Sequence, residues 1–299
     1  MYILHIMNQY VEINDYKPPF RVPKSTKFYR SMYFTCKMHD LLNTCSNSRK
    51  KCITFKDILH DIPQNCFVVG GAVRDLMHDI IPRDIDIKFK RMKRSNIQTI
   101  CKNNQLACPS IKLSKHNGSY VKFIDDSHND ISLEGMELNS SYNIYDFENN
   151  VNALMYDLHK HVIIDFYGTG IRDNLQHTFA LPPDLSKWLC KNDCSSKWRA
   201  CVRIFKMIGK DYSLSNSDKT KFIHFFMDNL KSLLAPIQEN ISLSVIQYIL
   251  LVTVRGDKYD LSNGKLLSKG NNKQIYNTLL RKLKLFDKTI YEIVLSQVN

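Results

Sequence analysis

The chain has 299 residues, 43% of them hydrophobic, with 42 Lys plus Arg against 29 Asp plus Glu and a formal net charge of +13. A folded protein with one large or two modest cores is expected, and no run approaches the ~18 uninterrupted apolar residues of a membrane span. The charge favours polyanionic partners without separating RNA, DNA and triphosphate, and a Lys- and Asn-rich codon bias is the alternative reading.

The opening MYILHIMNQY lacks the basic region and small-residue cleavage site of a secretory leader and reads as a short strand or docked arm. Residues 1–50 form an N-terminal extension, irregular and basic, with KPPFRVPKSTKFYR running extended through its prolines. Nine scattered cysteines fit reduced thiols in an intracellular compartment, the cytoplasm first. Cys190, Cys194 and Cys201 have poor zinc spacing and no second pair.

Residues 51–180 alternate helical and strand periods. Phe55, Ile58, Leu59 and Ile62 fall at helical spacing, and CFVV from Cys66 to Val69 is a buried strand. Gly70–Gly71 is a turn, AVRDLMHDI a helix ended by Pro82, and IDIKF a strand. A period of two sends Asp84, Asp86 and Lys88 to one face of that strand and Ile85, Ile87 and Phe89 to the other. RMKRSNIQTICKNN is a basic helix; SYVKFI, DISLE and HVIIDF are strands. Residues 181–299 change character: KWRACVRIFKMIG, KFIHFFMDNLKSLL, ISLSVIQYILLVTV and NKQIYNTLLRKLKLF all fit helices.

Asp84 and Asp86 place two carboxylates close together, which costs energy unless a cation lies between them. Hard divalent cations take oxygen ligands, and a magnesium pair, with manganese as a substitute, suits such a site. Gly70 and Gly71 let a phosphate approach the backbone; the helix that follows offers free N–H groups, and Arg74 a bidentate guanidinium. Each part alone has a plainer reading: a turn, a solvent-facing edge strand, a surface Arg74–Asp75 pair. Together they form a nucleotidyl-transfer layout.

GGAVRDLMHDIIPRDIDI resembles the signature of the class II tRNA CCA-adding enzyme and bacterial poly(A) polymerase family, within the polymerase-beta-type nucleotidyltransferases. The GG-x-VRD-x-L and D-x-D pattern is matched by Gly70, Gly71, Val73, Arg74, Asp75, Asp84 and Asp86, with Met77 in the leucine place. The resemblance implies an α+β protein: a nucleotidyltransferase head with a mixed β-sheet and an all-helical neck and body. It implies triphosphate binding at Gly70, Gly71, Arg74 and Asp75, and magnesium at Asp84 and Asp86. Asp130 of DISL is the implied third carboxylate, with Glu134 on the same side of that strand as its rival.

DFENNVNALMYDL resembles the family's RRDFTINAL and following YD, placing Glu148 and Asn152 at nucleotide-contacting positions while Asp146 and Phe147 replace two arginines. HVIIDFYGTGIRDNL resembles the strand and loop that follow. The nucleotide-selecting helix is matched by Arg199 and Arg203, but Ser195 and Ser196 stand where the family has acids. Lys90, Arg91, Lys93 and Arg94, and Lys206 and Lys210, are basic runs that fit an RNA backbone or plain solvation. The implied reaction is template-independent transfer from ATP, or CTP, to an RNA 3′ end, with oligo(A) addition ranked above CCA addition. A degenerate enzyme serving as an RNA-binding or regulatory subunit, and transfer to a non-RNA acceptor, are the alternatives.

Overall fold

The computed structural model describes residues 9–48, 51–62, 65–89, 93–104, 112–114, 118–124, 132–185, 198–238, 241–260, 265–268 and 272–297. The chain divides into two compact units, Met1–Gln176 and His177–Asn299. The first is a mixed-sheet head and the second a mostly helical region.

The head is built on a nine-stranded sheet. In chain order its strands are β1 (Val11–Ile13), β2 (Lys27–Arg30), β5 (Phe67–Val69), β6 (Asp84–Phe89), β7 (Lys112–Ser114), β8 (Gly118–Ile124), β9 (Ser132–Glu137), β10 (Leu154–Asp157) and β11 (Val162–Asp165). A separate hairpin supplies β3 (Cys45–Ser48) and β4 (Lys51–Thr54). The spatial order is β1-β2-β11-β10-β5-β6-β9-β8-β7. The β6–β9 pair is parallel and the other adjacent pairs are antiparallel.

Alternation sorts the two faces. Val68, Ile85, Ile87, Phe89, Leu133 and Tyr156 join a core with the helices, among them Phe34, Met38, Ile58 and Val73. Phe67, Val69, Met155 and Ile164 point the other way, into a second core with Phe20, Tyr142 and Phe166. Residues 9–48 are less irregular than their composition indicates. β1 and β2 extend the sheet, and the Met32–Leu42 helix, capped by the Ser31 hydroxyl accepting from the Phe34 N–H, buries Phe34, Met38 and Leu41. KFYR carries no strong local strand signal; its partner β11 makes it a strand.

Between β1 and β2 the chain crosses the second core. Phe20 meets Phe67 and Tyr142 edge-on at 5.4 and 5.0 Å, Tyr16 donates to Asp157 Oδ2 at 2.8 Å, and the Ser25 hydroxyl donates to the Phe166 carbonyl at 2.8 Å. Gly168 sits at φ +71 beneath this segment, where an added Cβ would lie 2.5 Å from the Ser25 carbonyl oxygen. Gly168→Ala combines backbone strain with a clash against main chain and should cost about 2 kcal/mol. A thermal midpoint unchanged from wild type would contradict this packing.

In the second unit the Trp198–Gly209, Asn216–Asp228 and Lys273–Phe286 helices bring Phe205, Phe222, Phe226 and Phe286 into edge and tilted ring contacts. Short two-stranded pairs interrupt the helices. ISLSVIQYILLVTV departs from its expected single helix. Ile241–Ser244 is a strand, and Ser244 and Gln247 then form a capping box that starts the helical run to Val254. Among the described residues no helix is long and apolar enough to cross a membrane.

Candidate active site

β5 ends at Val69, and Gly70 turns the chain at φ 67, ψ −125, a region open to glycine and strained for any residue with a Cβ. Its N–H donates to the Leu154 carbonyl at 2.9 Å, which ties the turn to β10. The Gly71–Leu76 helix begins at once, and the Arg74 N–H closes its first turn on the Gly70 carbonyl at 3.2 Å.

β6 returns antiparallel beside β5 with Asp86 paired to Val69, the residue just before the glycines. The two aspartates therefore lie on the strand next to the turn. Asp84 is exposed and Asp86 half-buried, while Ile85 and Ile87 are fully buried on the opposite face. Parallel pairing with β9 sets Ser132 beside Asp84 and Glu134 beside Asp86. Asp130 lies outside the described residues. Register brings Glu134, its rival, next to Asp86.

Lys88 completes this row of side chains. Burial lowers its pKa, and the charges of Asp86 and Asp146 oppose that shift. Two carboxylates from one strand are the donor type that a hard divalent cation takes, with Glu134 in register on the neighbouring strand but not gathered with them into a three-ligand group. Among the described residues no group of three His, Cys, Asp or Glu side chains is gathered closely enough to hold a metal.

Arg74 is enclosed rather than projecting: it is 5% exposed. Its Nε and Nη2 meet Asp75 Oδ1 at 2.7 and 2.6 Å, and Nη1 donates to Asn152 Oδ1. The Asn152 amide in turn donates to Glu148 Oε1 at 2.9 Å, and its N–H to Asn149 Oδ1 at 2.9 Å. Glu148, Asn152, Arg74 and Asp75 form one polar chain against the glycine turn. The guanidinium lies beside Gly71, with Nη2 3.5 Å from where a Cβ would stand. These contacts make Arg74 a brace for the turn.

Several polar residues of this support carry no strong sequence signal. Asn174 is fully buried and donates to the Arg74 carbonyl at 3.1 Å; Asn150 donates to Asp173 Oδ2 at 2.6 Å and to the Thr169 hydroxyl at 3.1 Å. Asp165 is fully buried and accepts from the N–H groups of Tyr167, Gly168 and Ile171. Burial pushes its carboxyl up from 3.8 to about 6, against the pull of those N–H groups.

Between those two values the folded chain keeps a proton on Asp165 that the unfolded chain has released. The stability from this group is therefore full at low pH and lost as pH rises through about 6. Between about pH 4 and pH 7 the wild-type thermal midpoint should fall relative to that of Asp165→Asn, which lacks the titration. Parallel profiles for the two proteins would contradict this assignment.

The basic candidates are spread over both units. In the head, Lys93 is exposed ahead of the Arg94–Asn103 helix that Arg94 opens; Lys90 and Arg91 lie outside the described residues. In the second unit, Arg199 and Arg203 belong to the Trp198–Gly209 helix. Arg203 is exposed, and Lys206 and Lys210 are half-buried at positions that share its face. Cys201, Ile204, Phe205 and Ile208 are buried.

The chain matches no protein-family model and no curated protein. Among solved structures it is similar to the Thermotoga maritima CCA-adding enzyme complexed with tRNA, at 16% identity and a TM-score of 0.47, over 74% of this chain and 46% of that one. A tRNA-processing enzyme with CTP gives 15% and 0.49 over 78% and 54%. A tRNA nucleotidyltransferase complexed with a primer tRNA and an incoming ATP analogue gives 14% and 0.48 over 74% and 57%. All three TM-scores lie below 0.5 at low identity, and this chain spans about half the length of the structures it matches.

Proposed function

We propose that the protein is a nucleotidyltransferase that joins a nucleotide from ATP, or CTP, to an RNA 3′ end. The observation that carries this reading is the pairing of Asp86 with Val69, which sets two carboxylates on the strand beside a glycine turn and helix start. Asp84 and Asp86 are the residues to hold magnesium, with Glu134 or Asp130 as a third donor. Bound divalent cations would supply the positive charge that lowers the pKa of an attacking hydroxyl and neutralises the departing pyrophosphate.

The chain's own residues supply position. Gly70 and Gly71 put no side chain between the backbone and a triphosphate, and the Glu148–Asn152–Arg74–Asp75 chain holds that turn in shape. The 3′ hydroxyl gives up its proton to solvent as its oxygen attacks the α-phosphorus; the bond from the α-phosphorus to the α–β bridging oxygen breaks, and pyrophosphate leaves with that electron pair. Arg199, Arg203, Lys206 and Lys210 offer a basic face for nucleotide and RNA backbone. Incubation with each NTP and a mixed RNA pool, followed by sequencing of the new 3′ ends, tests the reading. Runs of A or a terminal CCA support it and separate its two forms; unextended RNA with every NTP contradicts it.

A second reading is a degenerate enzyme that binds RNA or a partner subunit. Asp146 and Phe147 in the arginine positions favour it. Nucleotide or RNA binding that needs neither magnesium nor Asp84 and Asp86 would select it.

A further inference from the structure

Asn174 is fully buried on the apolar side of the Gly170–Leu175 helix, beside Ile171 and Leu175 of the first core. An apolar residue of the same size would cost less to bury there. Its amide is directed at another element, the Gly71–Leu76 helix and the residues just after it. Nδ2 donates to the Arg74 carbonyl at 3.1 Å and lies 3.2 Å from Met77 Sδ, while Oδ1 lies 3.2 Å from His78 Nε2.

The same short helix grips a second element. Asn150 donates from Nδ2 to Asp173 Oδ2 at 2.6 Å, and a Cβ on Gly170 would stand 2.6 Å from the Asn150 carbonyl oxygen. Asn150 opens the Asn150–Asn152 turn, and Asn152 Oδ1 accepts from the Arg74 guanidinium. Arg74 is therefore held twice, its side chain by Asn152 and its carbonyl by Asn174. The Gly170–Leu175 helix joins the two holds into a ring. The Arg74 N–H in turn closes on the Gly70 carbonyl at 3.2 Å. Six residues of helix span only about 9 Å, so a shift at Arg74 is carried to the glycines.

We propose that Asn174 is a positioning residue for the nucleotide: by closing this ring it fixes the Gly70–Gly71 turn in the shape that receives a triphosphate. The inference rests on the nucleotidyl-transfer reading. Asn174 acts through Arg74 rather than on the nucleotide. Without its amide the Gly71–Leu76 helix keeps its apolar packing through Val73 and Leu76 but gains freedom to rock on it. Part of the binding free energy of a triphosphate then goes into ordering the turn. Asp84 and Asp86 stand outside the ring, on a strand held by β5 on one side and β9 on the other.

Two ligands separate positioning from general damage. Asn174→Leu keeps the volume and removes the amide; Asn150→Ala opens the ring at its other side. Binding of α,β-methylene-ATP with magnesium to the full chain is read by calorimetry. Binding of manganese alone is read from the free-ion electron paramagnetic resonance signal. Each variant should bind the analogue about tenfold more weakly and manganese within about twofold of wild type. Because both cut one ring, the double variant should lie within about twofold of the weaker single on the analogue.

Unchanged analogue affinity in either single variant overturns the proposal, as does a parallel loss of manganese, the signature of a damaged fold. Losses that multiply to about a hundredfold in the double variant mean two independent supports and overturn the ring. If Asn174→Leu does not fold, Asn150→Ala decides by the same two readings. Failure of the wild type to bind either manganese or analogue overturns this inference together with the reading beneath it. Normal wild-type binding that the variants leave unchanged overturns the inference alone.

Discussion

Asp86→Asn should lower RNA 3′-end extension by on the order of a thousandfold or more while leaving the fold intact. The amide keeps the size of the carboxylate and removes its charge. Asp86 is half-buried on the strand beside the glycine turn, with Ile85 and Ile87 carrying the core on the other face. Relief of repulsion with Asp84 and loss of attraction to Lys88 act in opposite directions, so the thermal midpoint should change little. Asp84→Asn should behave alike. Because the two aspartates act on one cation site, the double variant should be no worse than the weaker single. Extension rates and melting curves of the three variants check this. Full activity in either single variant would remove the carboxylate pair from the reaction.

Asp75→Ala should be the most destabilising change near the site, costing about 3 kcal/mol. Arg74 and Asp75 have side chains only 6% and 13% exposed and meet at 2.6 Å. Removing the acid leaves a guanidinium enclosed without its carboxylate, with Asn152 Oδ1 among its neutral partners. For a unit of this size that corresponds to a midpoint lower by about 6–12 °C. The double change Arg74→Met with Asp75→Leu should lose less than Asp75→Ala alone, because it removes the buried charge along with its partner. A double variant less stable than Asp75→Ala would show that shape, not charge, governs this position.

Much of the head was legible because its signals are local. The run from Cys66 to Phe89 contains a strand, a glycine turn, a short helix and a period-two strand, and each is written in adjacent residues. The faces of β6 follow from alternation alone. What escaped the sequence depends on partners far along the chain. The sequence does not show that the Arg74 guanidinium donates a hydrogen bond to Asn152, 78 positions later. That Glu134 falls beside Asp86 follows only from the parallel register of β6 and β9; Asp130 lies outside the described residues.

The N-terminal stretch is a similar case. Its prolines read as irregular chain, yet Tyr16, Phe20 and Ser25 seal the second core through contacts with Asp157, Phe67 and Phe166. ISLS looks helical only when merged with the apolar run after it; Ser244 divides strand from helix.

The central claim is that Asp84 and Asp86 grip a divalent cation next to the Gly70–Gly71 backbone. Crystals grown with manganese and a non-hydrolysable nucleoside triphosphate test it most directly through the anomalous scattering of the metal. The account predicts an anomalous peak between the two carboxylates, with the triphosphate against the glycine turn. A peak at other residues, or a nucleotide seated away from that turn, would contradict it.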